Sequence, residues 1–208
     1  MAFLLAIESS TKNCSVAIFK DSKLVCIKER AFHQYSHGEQ LTLFIEEVLK
    51  QSKVHIKLID GIILSKGPGS YTGLRIGTAT AKGLCYSLDI PLVSVCTLQA
   101  MSFAMSKIED YMFYCPMIDA RRMEVFSSVY DRNNNQVREI RADVVDMFTY
   151  SNFLEHKVLF FGDGAFKCKQ IIDNNNAYFV DEVIPTAEYM GELGFDKFFN
   201  KDFEDIAY

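Results

Sequence analysis

Two carboxylates offer the first chemistry in this 208-residue chain. Glu8 ends the apolar run Phe3-Leu4-Leu5-Ala6-Ile7, and Asp119 follows Met117-Ile118 in the second half. Two carboxylates facing one cleft could hold Mg²⁺ or position a water. Gly162-Asp163-Gly164 would then stand near the nucleoside of a bound nucleotide. The structural reading is that each carboxylate accepts hydrogen bonds from its own turn, Ser9-Ser10-Thr11 or Ala120-Arg121-Arg122. Neither turn contains a glycine to free backbone N–H groups for a phosphate, which favours the structural reading.

The stretch Ser65-Lys66-Gly67-Pro68-Gly69-Ser70-Tyr71-Thr72-Gly73-Leu74-Arg75-Ile76-Gly77 invites a phosphate-loop reading, because it leads from a strand into a helix. Its spacing does not match. A P-loop needs Lys-Ser/Thr after its last glycine, whereas Leu74-Arg75 follows Gly73. Gly67, Gly69 and Gly73 also miss the dinucleotide fingerprint. A tight turn with positive φ accounts for the glycines. On the helix, Gly73, Gly77 and Ala81 recur every four residues and leave one face nearly bare. A glycine inside a helix costs about 1 kcal/mol relative to alanine, so another backbone must come close. That backbone belongs either to the chain's own sheet and first helix or to another subunit; the spacing leaves both open.

Other catalytic groupings are poorly supported. His33 and His37 are four apart, but Ser36 reads as the helix cap between them, and no third ligand is near. There is no G-x-S-x-G elbow, and Ser70 reads as a helix cap. The six cysteines form no C-x-x-C pair and read as reduced thiols of a cytoplasmic protein. No catalytic residue, metal site or cofactor is called for.

Lys plus Arg number 22 and Asp plus Glu 27, a net charge of −5 that argues against stand-alone nucleic-acid binding. With 49% hydrophobic and 24% charged residues the chain can bury a core. No run is long enough for a membrane span, and the N-terminal run lacks the basic leader of a signal peptide.

The elements that must position these residues follow from periodicity. Phe3–Ile7, Cys14–Phe19 and Leu24–Ile27 read as strands joined by tight turns. Ser36 and Glu39 have capping-box spacing, and Leu41, Phe44, Ile45, Val48 and Leu49 make one apolar helical stripe. A strand over Ile59–Leu64, a helix over Tyr71–Leu88, a strand over Leu92–Cys96 and a helix from Leu98 follow. The second half repeats this order with strands over Met112–Ile118, Met123–Tyr130 and Val137–Ala142 and a helix over Val144–Leu154. A strand over Val158–Phe161, a helix over Phe166–Ile172, a strand over Tyr178–Val180 and a helix from Ala187 complete it. A doubled β-β-β-α-β-α-β-α order predicts two layered α/β subdomains, residues 1–106 and 107–208, facing one cleft. It resembles the tandem ribonuclease-H-like fold of the actin, sugar-kinase and heat-shock-ATPase superfamily, whose active members carry Asp and Gly in the two turns.

Five segments carry a sharper resemblance. They are Ala6-Ile7-Glu8-Ser9-Ser10, His37-Gly38-Glu39-Gln40-Leu41, Ser65 through Gly77, Cys96-Thr97-Leu98-Gln99-Ala100, and Ile118 through Val125. In this order they resemble the TsaB (YeaZ) family, strongly in the first half and weakly in the second. The resemblance implies a bacterial, non-catalytic subunit needed to form threonylcarbamoyl-adenosine beside the tRNA anticodon. It implies a homodimer when alone, pairing with the catalytic paralogue TsaD through first-subdomain helices, an ATPase subunit TsaE, and tRNA contact only through the complex. It moves the bare helix face toward a subunit interface comprising Tyr71, Thr72, Gly73, Leu74, Arg75, Gly77, Thr78 and Ala81. Glu8, Ser9, Ser10, Asp119, Gly162, Asp163 and Gly164 become a vestigial nucleotide cleft. Thr97-Leu98-Gln99-Ala100-Met101-Ser102 lacks the metal-binding histidines that the catalytic relative has after this strand. The chain also lacks the P-x-Y-L-[RK] ending common in the family. The alternative is an ATPase or phosphotransferase of the same superfamily acting in the cleft; a peptidase is a distant third.

Overall fold

The computed structural model describes residues 1–31 and 37–207. His33, Ser36 and the side chain of His37 lie outside the described residues, and with them the capping box and the histidine pair. The elements are β1 (Phe3–Glu8), β2 (Asn13–Lys20), β3 (Lys23–Ala31), α1 (His37–Ser52), β4 (Gly61–Ser65), α2 (Tyr71–Leu88), β5 (Leu92–Val95) and α3 (Thr97–Ser106). They continue with β6 (Phe113–Asp119), β7 (Glu124–Asp131), β8 (Gln136–Val144), β9 (Val158–Phe161), α4 (Ala165–Cys168), β10 (Ala177–Val180) and α5 (Gly191–Phe199). No described helix is long and apolar enough to cross a membrane.

Two five-stranded sheets form, in the orders β3-β2-β1-β4-β5 and β8-β7-β6-β9-β10. In the first, β1 pairs antiparallel with β2 and parallel with β4. In the second, β6 pairs antiparallel with β7 and parallel with β9. Tight turns permit the antiparallel pairs, and helical crossovers are needed for the parallel ones. The doubled topology expected from the element order is present.

The compact units divide differently from the expected boundary. One comprises residues 1–97 and 185–208, the other 98–184. The reason is that the first sheet is buried on both faces. Leu5, Ile7, Val16, Ile18, Ile62 and Leu64 join the core under α1 and α2. The opposite face of β1, β2 and β4 needs its own cover, and α5 supplies it. Gly191 sits against the Phe19 ring and Gly194 against Ile63. Asn13 Nδ2 donates to the Pro185 carbonyl (2.9 Å), and the Ala187 amide donates to Ser15 Oγ (3.0 Å), tying the returning chain to β2.

The second unit departs from the expected elements at Val144–Leu154. Val144 ends β8, and successive turns follow instead of a helix. Asp146 Oδ1 accepts from the Phe148 amide (2.9 Å) and the Thr149 hydroxyl (2.7 Å). Such side-chain bonds compete with helical ones. The turns bury Tyr150 beside a polar cluster. Arg138 donates twice to Asp143 (2.8 and 2.6 Å), Ser127 Oγ donates to Asp143 (2.6 Å), and the Tyr150 hydroxyl lies 2.9 Å from Ser127 Oγ. Asp143 is half desolvated, which would raise its pKa, but the bonds from Arg138 and Ser127 outweigh this and hold it below the usual carboxylate range.

Helix α2 runs over Tyr71–Leu88, as its periodicity predicts. Its buried residues are Gly73, Gly77, Ala81 and Cys85. The bare stripe therefore faces the chain's own sheet, which corrects the interface expectation for Gly73, Gly77 and Ala81. A Cβ at Gly77 would stand 2.3 Å from Ser9 Oγ and 3.5 Å from Leu64 Cδ1. Ser9 Oγ donates to the Gly73 carbonyl (3.0 Å), so this contact is also a polar tie. Tyr71, Thr72, Arg75, Ala79, Gly83 and Tyr86 are exposed on the other side, with Leu74 and Thr78 half-buried.

Two predictions follow from this packing. Gly77→Leu drives side-chain atoms into Ser9 and Leu64 and should cost at least about 2 kcal/mol. Gly83→Ala, where an added Cβ meets nothing within 4 Å, should gain about 0.5–1 kcal/mol from helix propensity. Urea unfolding of both variants checks the contrast, and a mild effect of Gly77→Leu would refute the packing account. Arg138→Met leaves Asp143 without its cation and should cost about 3 kcal/mol at pH 7. Asp143 contributes stability above its unfolded pKa that is lost as pH falls through its depressed folded value. The variant's acid-unfolding midpoint should therefore move to higher pH, as followed by circular dichroism.

Candidate functional site

The end of β1 is built from serines around one carboxyl. Glu8 is 1% exposed. The Ser10 amide donates to its Oε1 at 2.6 Å. Burial pushes its pKa above the ordinary value, and the Ser10 amide and the other polar groups of Ser9, Ser10 and Ser65 around it oppose that rise. Ser65 Oγ lies 2.6 Å from Thr97 Oγ1, extending the chain of hydroxyls to the start of α3. The sequence did not single out Ser65 and Thr97 as neighbours of Glu8. Their only signal was a position at the carboxyl ends of strands β4 and β5, where sites of parallel sheets gather.

The glycine loop closes over this carboxyl. A Cβ at Gly69 would lie 2.2 Å from the Ser10 carbonyl oxygen, and the Ser70 amide donates to that oxygen at 2.6 Å. Ser70 Oγ accepts from the Gly73 amide (3.3 Å), capping α2 as expected. Lys66 donates its amide to the Val95 carbonyl (3.0 Å), and the Gly67 carbonyl accepts from Thr97 (2.9 Å). These groups are committed within the chain, which is the tight-turn reading of the glycines. Gly67 has φ +90°, the positive φ that reading requires.

The corresponding position in the second unit has a different environment. Asp119 ends β6 half-exposed, and its carboxylate is ion-paired with Lys167. It also accepts from the Arg121 amide at 3.0 Å. Lys167 further donates to the carbonyls of Arg122 (2.8 Å) and Glu124 (2.7 Å), so it holds the β6–β7 turn together. Asp163 Oδ1 accepts from the Asp119 amide at 2.9 Å. Gly162, at φ +107°, has room for no Cβ against the Met117 carbonyl, and Gly164 lies against the Asp119 amide. Thus Asp119, Gly162, Asp163 and Gly164 come together in one unit, and Glu8, Ser9 and Ser10 in the other. Lys167 was missed because a partner 48 positions away leaves no local spacing signal.

A further surface belongs to α2. On its exposed side Arg75 stacks over the Tyr71 ring, 4.2 Å from the centroid. Tyr71 is 68% and Tyr86 83% exposed, large amphipathic side chains at either end of the helix.

The Glu8 environment makes a testable statement about pH. A carboxyl whose folded pKa is raised loses stability as pH climbs from the unfolded toward the folded value. Glu8→Gln removes that loss. The melting temperature of the variant relative to the parent should be higher at pH 8 than at pH 5. An equal difference at both pH values would mean that burial does not raise the Glu8 pKa.

A family model described as "TsaD: tRNA N6-adenosine threonylcarbamoyltransferase" matches residues 31–208. A Haemophilus influenzae protein named tRNA threonylcarbamoyladenosine biosynthesis protein TsaB is 31% identical over 155 residues, covering 74% of this chain and 63% of that protein. The matched stretch thus spans less than two thirds of that relative's length. The structure named YeaZ from Pseudomonas aeruginosa superposes with TM-score 0.78 at 22% identity, covering 100% of this chain and 97% of that one. An inorganic polyphosphate/ATP-glucomannokinase from Arthrobacter sp. strain KM superposes with TM-score 0.51 at 10% identity, covering 97% and 100%. These two structural likenesses show a fold, the tandem α/β arrangement shared with sugar kinases, and no activity. The chain belongs to the family this model describes, the TsaD-type tRNA N6-adenosine threonylcarbamoyltransferase family, and its sequence relatives are the TsaB (YeaZ) proteins.

Proposed function

We propose that this chain is a non-catalytic subunit in the biosynthesis of threonylcarbamoyladenosine in tRNA, and that it works by docking on the catalytic transferase paralogue and stabilising its competent state. Family membership supports the pathway. The observation that carries the docking mode is the division of α2 into two faces. The inner face is glycine and alanine locked onto the chain's own sheet, and the outer face presents Tyr71, Thr72, Arg75, Ala79 and Tyr86 to solvent. Exposed tyrosine and arginine are the residues that most often anchor protein interfaces. In this reading Tyr71, Thr72, Leu74, Arg75 and Thr78 remain in the interface, while Gly73, Gly77 and Ala81 shape the helix behind it.

The non-catalytic reading draws on the two carboxylates. Glu8 is dry and bonded to its own turn, and Asp119 is neutralised by Lys167. A phosphotransferase site would hold such groups ready for metal or phosphate. The proposal includes a homodimer in the absence of the transferase, an ATPase subunit as a further member, tRNA contact through the complex, and a cytoplasmic location.

Ala79→Arg tests the docking face. The side chain points to solvent in this chain, so the fold and melting temperature should be unchanged. A bulky cation in the middle of the interface should weaken binding to the cognate transferase at least tenfold, roughly 1.4 kcal/mol or more. Light scattering of the mixture and calorimetric titration read this out. Undiminished binding would move the interface elsewhere, and Mg-ATP turnover by the isolated chain that is lost in Asp119→Ala would favour the phosphotransferase alternative.

A further inference from the structure

A pocket of about 400 Å³ opens where the C-terminus of α2 meets the end of the chain, all within the first unit. Tyr86, Asp89, Pro91, Leu92, Phe203 and Glu204 are among its lining residues. Its floor is formed as the chain returns along the outer edge of β5. The Glu204 amide donates to the Leu92 carbonyl at 2.8 Å, and the Glu204 carboxylate accepts from the Ser94 hydroxyl. Phe203 is held at the rim by Phe198, with ring centroids 5.8 Å apart.

Its chemistry points in one direction. Two carboxylates, Asp89 and Glu204, line it, and among the described residues no Lys, Arg or His does. It sits at the negative end of an 18-residue helix whose last turn holds no basic residue. Asp89 occupies the left-handed position after the helix, at φ 54°, a place that glycine or asparagine fills at less cost. The Asp89 carboxylate forms no ion pair or side-chain hydrogen bond among the described residues. The Tyr86 and Phe203 rings, 83% and 44% exposed, offer aromatic faces beside these charges. Carboxylate, helix C-terminus and aromatic faces all favour a cation, and planar faces favour a guanidinium over an ammonium.

We propose that this pocket receives an arginine side chain of the partner protein, paired with Asp89 and stacked against Tyr86 and Phe203. The partner source rests on the reading of the outer α2 face as an interface, because Tyr86 belongs to both that face and the pocket. The pocket then ends the interface with a charged anchor.

Two measurements separate the pocket from that reading. In the first, N-acetyl-arginine amide and its neutral isostere N-acetyl-citrulline amide are titrated into the chain alone and followed by amide NMR shifts. The expected result is saturable shifts over residues 86–92 and 203–206 with the arginine compound, binding about tenfold weaker with citrulline, and a similar loss in Asp89→Asn. Asparagine suits the left-handed position, so the variant's melting temperature should hold. Equal binding of both compounds, or shifts confined to other residues, would overturn the guanidinium site. In the second, Asp89→Asn should weaken the transferase complex about tenfold and flatten its salt dependence. An unchanged affinity, beside a loss in Ala79→Arg, would leave the interface standing and remove the arginine anchor. If no complex forms at all, the interface reading fails and the partner source with it, while the first measurement still decides whether the pocket selects a guanidinium.

Discussion

A single Cβ on residue 77 would stand 2.3 Å from the Ser9 hydroxyl, and the organisation of the first unit depends on that close approach. Helix α2 can lie directly on the turn after β1 only because its inner face is glycine and alanine. Lying there, it brings its N-terminal loop onto the same turn, where Gly69 and Ser70 meet the Ser10 carbonyl. The loop in turn roofs the carboxyl end of β1. Glu8 is left buried, with its carboxyl accepting from the Ser10 amide. Steric closeness in a helix thus shapes the surroundings of a nearby carboxyl, whose burial penalises the charged form and raises its pKa.

The second unit repeats the topology without repeating the chemistry. Asp119 stands at the same point of its sheet as Glu8, at the end of the central strand. The chain that covers it is the four-residue α4, which supplies Lys167 in place of a serine-lined roof. A half-exposed carboxylate is paired with an ammonium that also bonds the carbonyls of the turn. Two positions equivalent in the fold are therefore not equivalent in surroundings, one buried and one half-exposed and ion-paired, and the difference lies in the cover rather than in the strands. This is why a pseudo-symmetric pair of acids in the sequence was an uncertain guide to a shared function.

Much of the fold was legible because its signals are local. The stripe Leu41, Phe44, Ile45 and Val48 is buried as its period predicts, and α2 starts at its serine cap. Val144–Leu154 was not legible, because its apolar spacing suits a helix while Asp146 and Thr149 bond to the nearby backbone and favour turns. The placement of the last 24 residues depended on a remote fact, that Phe19 and Ile63 need a partner on the second face of the sheet. The bare stripe on α2 was correctly seen as a site of close approach. Its direction was not readable, since a helix face of small residues fits a sheet beneath as well as a partner above.

The two sides of α2 answer to different constraints, and that separation is what suits the helix to recognition. Residue 77 has no room for a side chain against Ser9 and Leu64, and residues 73 and 81 are buried on the same face. The helix is consequently fixed in position before any partner arrives. Its outer residues are then presented from a rigid element, with the Arg75 guanidinium over the Tyr71 ring. Ordering interface side chains is one of the main costs of association, about 0.5–1.5 kcal/mol for each rotamer-rich side chain. A guanidinium that stacks on a ring of its own helix has less of that cost left to meet. The glycines that seemed to advertise a contact surface thus act one layer below it, by holding still the face on which contact can occur.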